Sequence, residues 1–122
     1  LQRARKLRSP GRVVFFSSVA ARMGAANNVA YAAAKLGGEA AMNAIAFDFL
    51  KKGITVNSIA PAGIETGLYD GTKPKILDPE TYPLGPGSVS DTTSATAFLC
   101  MQGSKYITGE TIILSGGTKW LE

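Results

Sequence analysis

The sequence predicts an α/β fold built on a parallel sheet, and three observations carry that expectation. Apolar, β-branched runs alternate with longer helical stretches in the order strand, helix, strand, helix, strand. The first run, Val13, Val14, Phe15 and Phe16, is uninterrupted, as in a strand covered on both faces. Glycines stand where elements must stop, at Gly53 and at Gly116-Gly117. With 122 residues, 45% of them hydrophobic, the chain has material for one core.

Taken in order, Leu1–Arg8 reads as the tail of a helix, stopped by Ser9-Pro10-Gly11. Arg12–Ser17 is the first strand, and Ser18–Asn28, small and polar, is a loop. Asn28–Lys52 is a long helix ended by Gly53 just past Lys51-Lys52. Ile54–Ala60 is the second strand, which should stop before Pro61 because proline cannot donate to a ladder. Pro61–Gly87 is rich in Gly and Pro and has no period; a loop of that length is usually a functional lid or disordered. Ser88 with Asp91 three residues on resembles a capping box, opening a helix to about Met101. Thr111–Leu114 is the last strand.

Composition excludes several chemistries. There is no histidine, which removes Ser–His nucleophile systems and most zinc sites. Cys100 is the only cysteine, so no intrachain disulfide forms and a reducing, cytoplasmic setting is expected; its apolar surroundings predict a buried thiol. No apolar run reaches membrane-spanning length and no signal-peptide pattern opens the chain. Of the +4 net charge, Arg3, Arg5, Lys6, Arg8 and Arg12 cluster near the start; without interleaved Trp or Tyr the cluster reads as a solvated helix end, not a nucleic-acid surface. The sequence begins with Leu1 and not Met, so it is expected to be incomplete there.

Tyr31 and Lys35 stand at i and i+4 near the amino end of the long helix, so both project from one face. That face continues through Gly38, Met42, Ile45 and Phe49, the stripe expected on the sheet. A free phenol ionises near pH ~10, and a neighbouring ammonium favours the phenolate by about 1–3 units, the arrangement an acid/base tyrosine needs. Spacing alone decides little. Tyr69 and Lys73 share it inside the Gly-rich loop, and an exposed helix pair would have it too. The context adds weight: Ser17-Ser18 ends the first strand, at the sheet edge where α/β folds bind ligands. Ser18 can there hydrogen-bond a substrate oxygen, while Ser17 fits a turn-capping role better. The segment from Pro61 to Thr66 leaves the second strand at the same edge, either as a cofactor contact or as a plain strand-to-loop turn.

Together these residues resemble the short-chain dehydrogenase/reductase family. Ser18 matches its substrate-orienting serine, and Tyr31 with Lys35 its Tyr-x-x-x-Lys. Gly53-Ile54-Thr55-Val56-Asn57 through Pro61 and Thr66 is similar to its sixth strand and following turn, and Tyr106-Ile107-Thr108-Gly109-Glu110 up to Gly117 to its last strand. The resemblance runs from about Gly11 to Gly117 and is nearest to the 3-oxoacyl-(acyl carrier protein) reductase type. It implies a Rossmann-like, doubly wound parallel sheet, of which residues 1–122 form the carboxyl-terminal portion: the last three strands and their helices of a single reductase domain.

The implied activity is hydride transfer between a nicotinamide cofactor, NADP or NAD, and an alcohol or ketone. Ser18, Tyr31 and Lys35 would be catalytic, with Ser18 and Tyr31 at the substrate. Tyr31, Lys35, Pro61, Gly63, Ile64 and Thr66 would bind cofactor. No metal, nucleic acid or membrane is implied, and the complete protein is expected to be a homodimer or homotetramer. Two departures stand out. Ala62 and Gly63 occupy positions where the family has Gly and then a larger residue, and no Gly-x-x-x-Gly-x-Gly follows any strand, so the isolated chain is expected to bind no dinucleotide. The rival reading is a non-catalytic partner or regulatory module that has lost the cofactor half.

Overall fold

The computed structural model describes residues 10–23, 27–66 and 82–118. Three strands, β1 (Arg12–Phe16), β2 (Thr55–Pro61) and β3 (Thr111–Leu114), form one sheet in the order β1-β2-β3. Both pairings are parallel, with Arg12 opposite Thr55 and Ser58 opposite Thr111. The helices are α1 (Val19–Met23), α2 (Val29–Phe49) and α3 (Val89–Cys100), with 3-10 turns at Leu50–Lys52 and Gln102–Ser104. The expected α/β architecture is therefore present. The expected helix at Leu1–Arg8, the basic cluster from Arg3 to Arg8, the Tyr69/Lys73 pair and most of the proposed lid lie outside the described residues.

The two long helices take opposite faces of the sheet. Val13 and Phe15 of β1 and Val56 of β2 pack with Met42, Ala46 and Phe49 of α2. Phe16, one residue on, points the other way and lines a groove with Val89, Thr92 and Thr96 of α3. Burying a Met, Val or Phe side chain contributes about 1.5–3 kcal/mol, so the α2 seam is the main apolar glue. At the end of α2, Gly53 takes φ +66°, a left-handed conformation that stops the helix and returns the chain to β2. Gly116, at φ +61°, ends β3 where an added Cβ would lie 3.1 Å from the Gly85 carbonyl oxygen.

Four local expectations need correction. The strand buried on both faces is β2, whose residues are buried from Thr55 to Ala60, and not β1, whose Phe16 is 49% exposed. β2 is the central strand; β1 lies at an edge, where its apolar run lacks a second neighbour among the described residues. Pro61 is the last residue of β2 and pairs with Leu114; the ladder continues because the next amide, Ala62, donates to the Leu114 carbonyl at 2.9 Å. Within the presumed loop after β1, Val19–Met23 form the short helix α1. Cys100 is exposed, because Leu99 takes the inward position of α3 and the next residue lies about 100° round the helix.

Inside the central strand, the Asn57 side chain and the Val56 amide are paired through the loop before β3. Asn57 donates from Nδ2 to the Ile107 carbonyl at 2.9 Å and accepts at Oδ1 from the Glu110 amide at 3.1 Å. The Val56 amide donates to Thr108 Oγ1 at 3.0 Å. These bonds explain how Asn57 can be buried inside the strand.

Candidate functional site

Parallel pairing puts the carboxyl ends of the three strands at one edge of the sheet. The Ser17 amide extends the ladder by donating to the Ile59 carbonyl at 2.8 Å, so Ser17-Ser18 emerges beside the end of β2. Helix α2 runs back from that edge, and its amino-terminal half carries Tyr31 and Lys35 over it. Lys35 Nζ lies 5.8 Å from the centroid of the Tyr31 ring and donates at 3.0 Å to the carbonyl of Phe16. The helix pair and the strand end are thus physically joined. Tyr31 is 45% exposed, while Ser18 is buried.

The turn-capping role expected of Ser17 falls to Ser18. Ser18 Oγ accepts from the Ala20 amide at 3.2 Å and its carbonyl from the Ala21 amide, the turn that opens α1. Ser17 Oγ instead donates to Glu39, across to α2. Capping occupies only an acceptor position of Ser18, so its hydroxyl hydrogen remains available. Among the described residues no hydrogen bond joins Ser18 to Tyr31.

Beneath Lys35 a cleft of about 280 Å³ opens between α2 and the β1–β2 surface. Phe16, Ser17, Lys35, Glu39 and Ser58 line it; Ser18 and Tyr31 do not. Ser58 Oγ is fully buried there without a hydrogen-bond partner.

Glu39, which sequence reasoning passed over, is the most connected side chain of the region. Its carboxylate accepts from Ser17, forms an ion pair with Arg22 of α1, and accepts from Thr111 Oγ1 at 3.3 Å. Burial raises its pKa, but the hydrogen bonds and charge of Arg22, with the hydrogen bonds of Ser17 and Thr111, outweigh that and hold it below the ordinary value. A signal existed: Glu39 lies four residues after Lys35 and eight after Tyr31, on the same face. The buried face of α2 is Glu39, Met42, Ala46 and Phe49, slightly rotated from the expected stripe, in which Gly38 and Ile45 are only half-buried.

At the end of β2, Gly63 is buried and Pro61, Ile64 and Thr66 are half-buried. The turn is fastened to the segment before α3: the Gly87 amide donates to Gly63 at 2.9 Å and the Glu65 amide to Gly87 at 2.7 Å. The glycine displaced by one position is therefore part of an ordered turn.

Comparison with known proteins decides the family. A family model described as Enoyl-(Acyl carrier protein) reductase matches residues 2–119. The chain belongs to the short-chain dehydrogenases/reductases. The 3-oxoacyl-(acyl-carrier-protein) reductase FabG of Salmonella typhimurium is 38% identical over 122 residues, covering 96% of the chain and 49% of the relative. A hydroxynaphthalene reductase-like protein, Arp2, of Metarhizium anisopliae is 37% identical over 129 residues, covering 92% and 48%. Among solved structures, acetoin dehydrogenase YohF of Salmonella typhimurium superposes with a TM-score of 0.80 at 29% identity, over 96% of the chain and 47% of that structure. The chain spans about half the length of the curated relatives it matches. Its three-stranded sheet is accordingly part of a Rossmann-like reductase fold. The relatives are named as reductases and dehydrogenases, and none supports a non-catalytic module.

Proposed function

We propose that the complete protein is an NAD(P)-dependent oxidoreductase that interconverts an alcohol and a ketone, with Tyr31 as its acid/base. One observation carries the reading. Lys35 lies beside the Tyr31 ring while its Nζ is bonded to the strand end that presents Ser17 and Ser18.

The residues present fit the nicotinamide end of such a cofactor. An ammonium has three donors; Lys35 gives one to Phe16, leaving two for the ribose hydroxyls. Pro61, Gly63, Ile64 and Thr66 leave β2 at the same edge, and the Ile64 backbone and Thr66 hydroxyl would meet the carboxamide. When bound, the nicotinamide supplies or takes up the hydride. In reduction Tyr31 gives its phenolic proton to the carbonyl oxygen, and in oxidation it takes the proton of the alcohol. Lys35 stands beside the Tyr31 ring. Ser18 donates its hydroxyl hydrogen to the substrate oxygen, its Oγ already oriented by the Ala20 amide.

The proposal extends to assembly. Along the outer side of α2, Val29 and Phe47 are 82% and 78% exposed and Leu36 is also open, an apolar strip that a second copy would cover in a homodimer or homotetramer. Among the described residues no helix is long and apolar enough to cross a membrane.

Tyr31→Phe in the complete protein tests the reading, assayed with NADH and NADPH against a panel of ketones and alcohols. The expected result is a loss of roughly 10²-fold or more in kcat with unchanged circular dichroism and cofactor affinity. Near-normal rates in that variant, or no turnover of any panel member by the wild type, would overturn it.

A further inference from the structure

We infer that Glu39 is a positioning residue for Ser18, fixing the serine-bearing segment against the helix that carries Tyr31 and Lys35. The inference rests on the proposed reaction and adds to it a residue with no part in the chemistry itself.

The geometry is a bracket around Ser18. On its amino side, Ser17 donates to the Glu39 carboxylate. On its carboxyl side, Arg22 of α1 reaches the same carboxylate with both Nε, at 3.4 Å, and its terminal nitrogen. Ser18 lies between these two anchors and opens the helix that holds the second, through the Ala20 amide. Glu39 is itself on α2, one turn beyond Lys35 and two beyond Tyr31, so every adjustment of Ser18 is referred to the helix bearing the other two groups. Thr111 at the start of β3 donates to the carboxylate as well, tying the bracket to the far strand.

The chemistry suits the role. Arg22 and Ser17 bond a single carboxylate, and an ion pair to a largely buried acid is directional where a hydroxyl contact alone would let the segment slide. Glu39 and Lys35 both line the same cleft. A shift of even 1 Å in a group that orients substrate can cost about 10²-fold in rate.

The test uses the complete protein and the carbonyl compound the wild type reduces fastest. Glu39→Gln should lower kcat per folded molecule roughly 10- to 100-fold, with dinucleotide affinity close to wild type and a thermal midpoint lowered by the loss of the carboxylate's bonds. Arg22→Met, at a partly exposed position, should show the same loss in kcat per folded molecule, and Arg22→Lys should recover part of it. In a Glu39→Gln background, Arg22→Met should add little further loss, because both act through one contact. A kcat per folded molecule unchanged in both Glu39→Gln and Arg22→Met overturns the inference, as does a loss accompanied in proportion by weaker dinucleotide binding. If Tyr31→Phe is inactive while Glu39→Gln is not impaired, only this inference fails. If Tyr31→Phe is fully active, the proposed reaction fails and the inference with it.

Discussion

Ser17 and Ser18 are adjacent, alike in type and both buried, yet they serve different neighbours. Nothing in a Ser-Ser pair says which hydroxyl caps a turn, because either can; the choice follows from the strand's last ladder bond, which aims Ser17 at α2. Glu39 was illegible for a related reason. A carboxylate on a long helix reads as a solvated charge until Arg22, seventeen residues earlier, is seen to fold back on it. Its titration makes a prediction. A glutamate in the unfolded chain protonates near pH ~4.3, and the folded value of Glu39 lies below its ordinary range. The stability it contributes is therefore complete above the unfolded value and is lost as pH falls through the folded one. Urea denaturation at a series of pH values should show Glu39→Gln with a shallower acid limb than wild type; equal acid sensitivity would contradict the assignment.

Among the elements, β2, α3 and β3 are readable to within a residue, and α2 to within three, its last expected turn being the 3-10 turn Leu50–Lys52. The Ser88–Asp91 capping box forms as the sequence suggests, with Asp91 accepting from the Ser88 amide at 2.7 Å. What could not be read was α1: five residues, too short for a period and built from Ala, Val, Arg and Met that any loop might contain. Burial on both faces was assigned to the wrong strand, because Val13–Phe16 is more apolar than Thr55–Ala60, while burial is decided by which strand lies in the middle. Helix α2 carries Gly37 and Gly38, and a Cβ at either would meet nothing within 4 Å. The glycines are thus not required by contacts within the chain. Gly37→Ala should raise the helix stability of the isolated chain by up to about 1 kcal/mol, seen as a higher thermal midpoint. In the complete protein the same methyl should weaken self-association in sedimentation experiments if the outer face of α2 is the contact between copies; unaltered association would place the contact elsewhere.

Among the described residues, the sheet has β1 and β3 at its two edges. The relatives are about twice as long as the region matched here. β1 leaves an apolar ladder edge and Phe16 half uncovered, the kind of edge that invites mispairing. The 122-residue polypeptide by itself is expected to bind no dinucleotide and to self-associate through β1; soluble, saturable NADPH binding by this chain in a fluorescence titration would refute that. Architecture and chemistry were legible to different degrees for one reason. Strand order follows from local pattern and handedness, whereas a site is made where elements distant in sequence converge.

The pairings of β2 also set a timetable. Thr55 meets Arg12, and Thr111 meets Ser58, so each ladder closes a loop of roughly 40 to 50 residues before a single inter-strand bond compensates the lost chain entropy. Helices α2 and α3 need no such wait. During synthesis they can wind as they emerge, while β1 waits unpartnered for β2, and β2 for its second neighbour β3. For that interval this polypeptide is a natural client for chaperones that hold extended apolar chain.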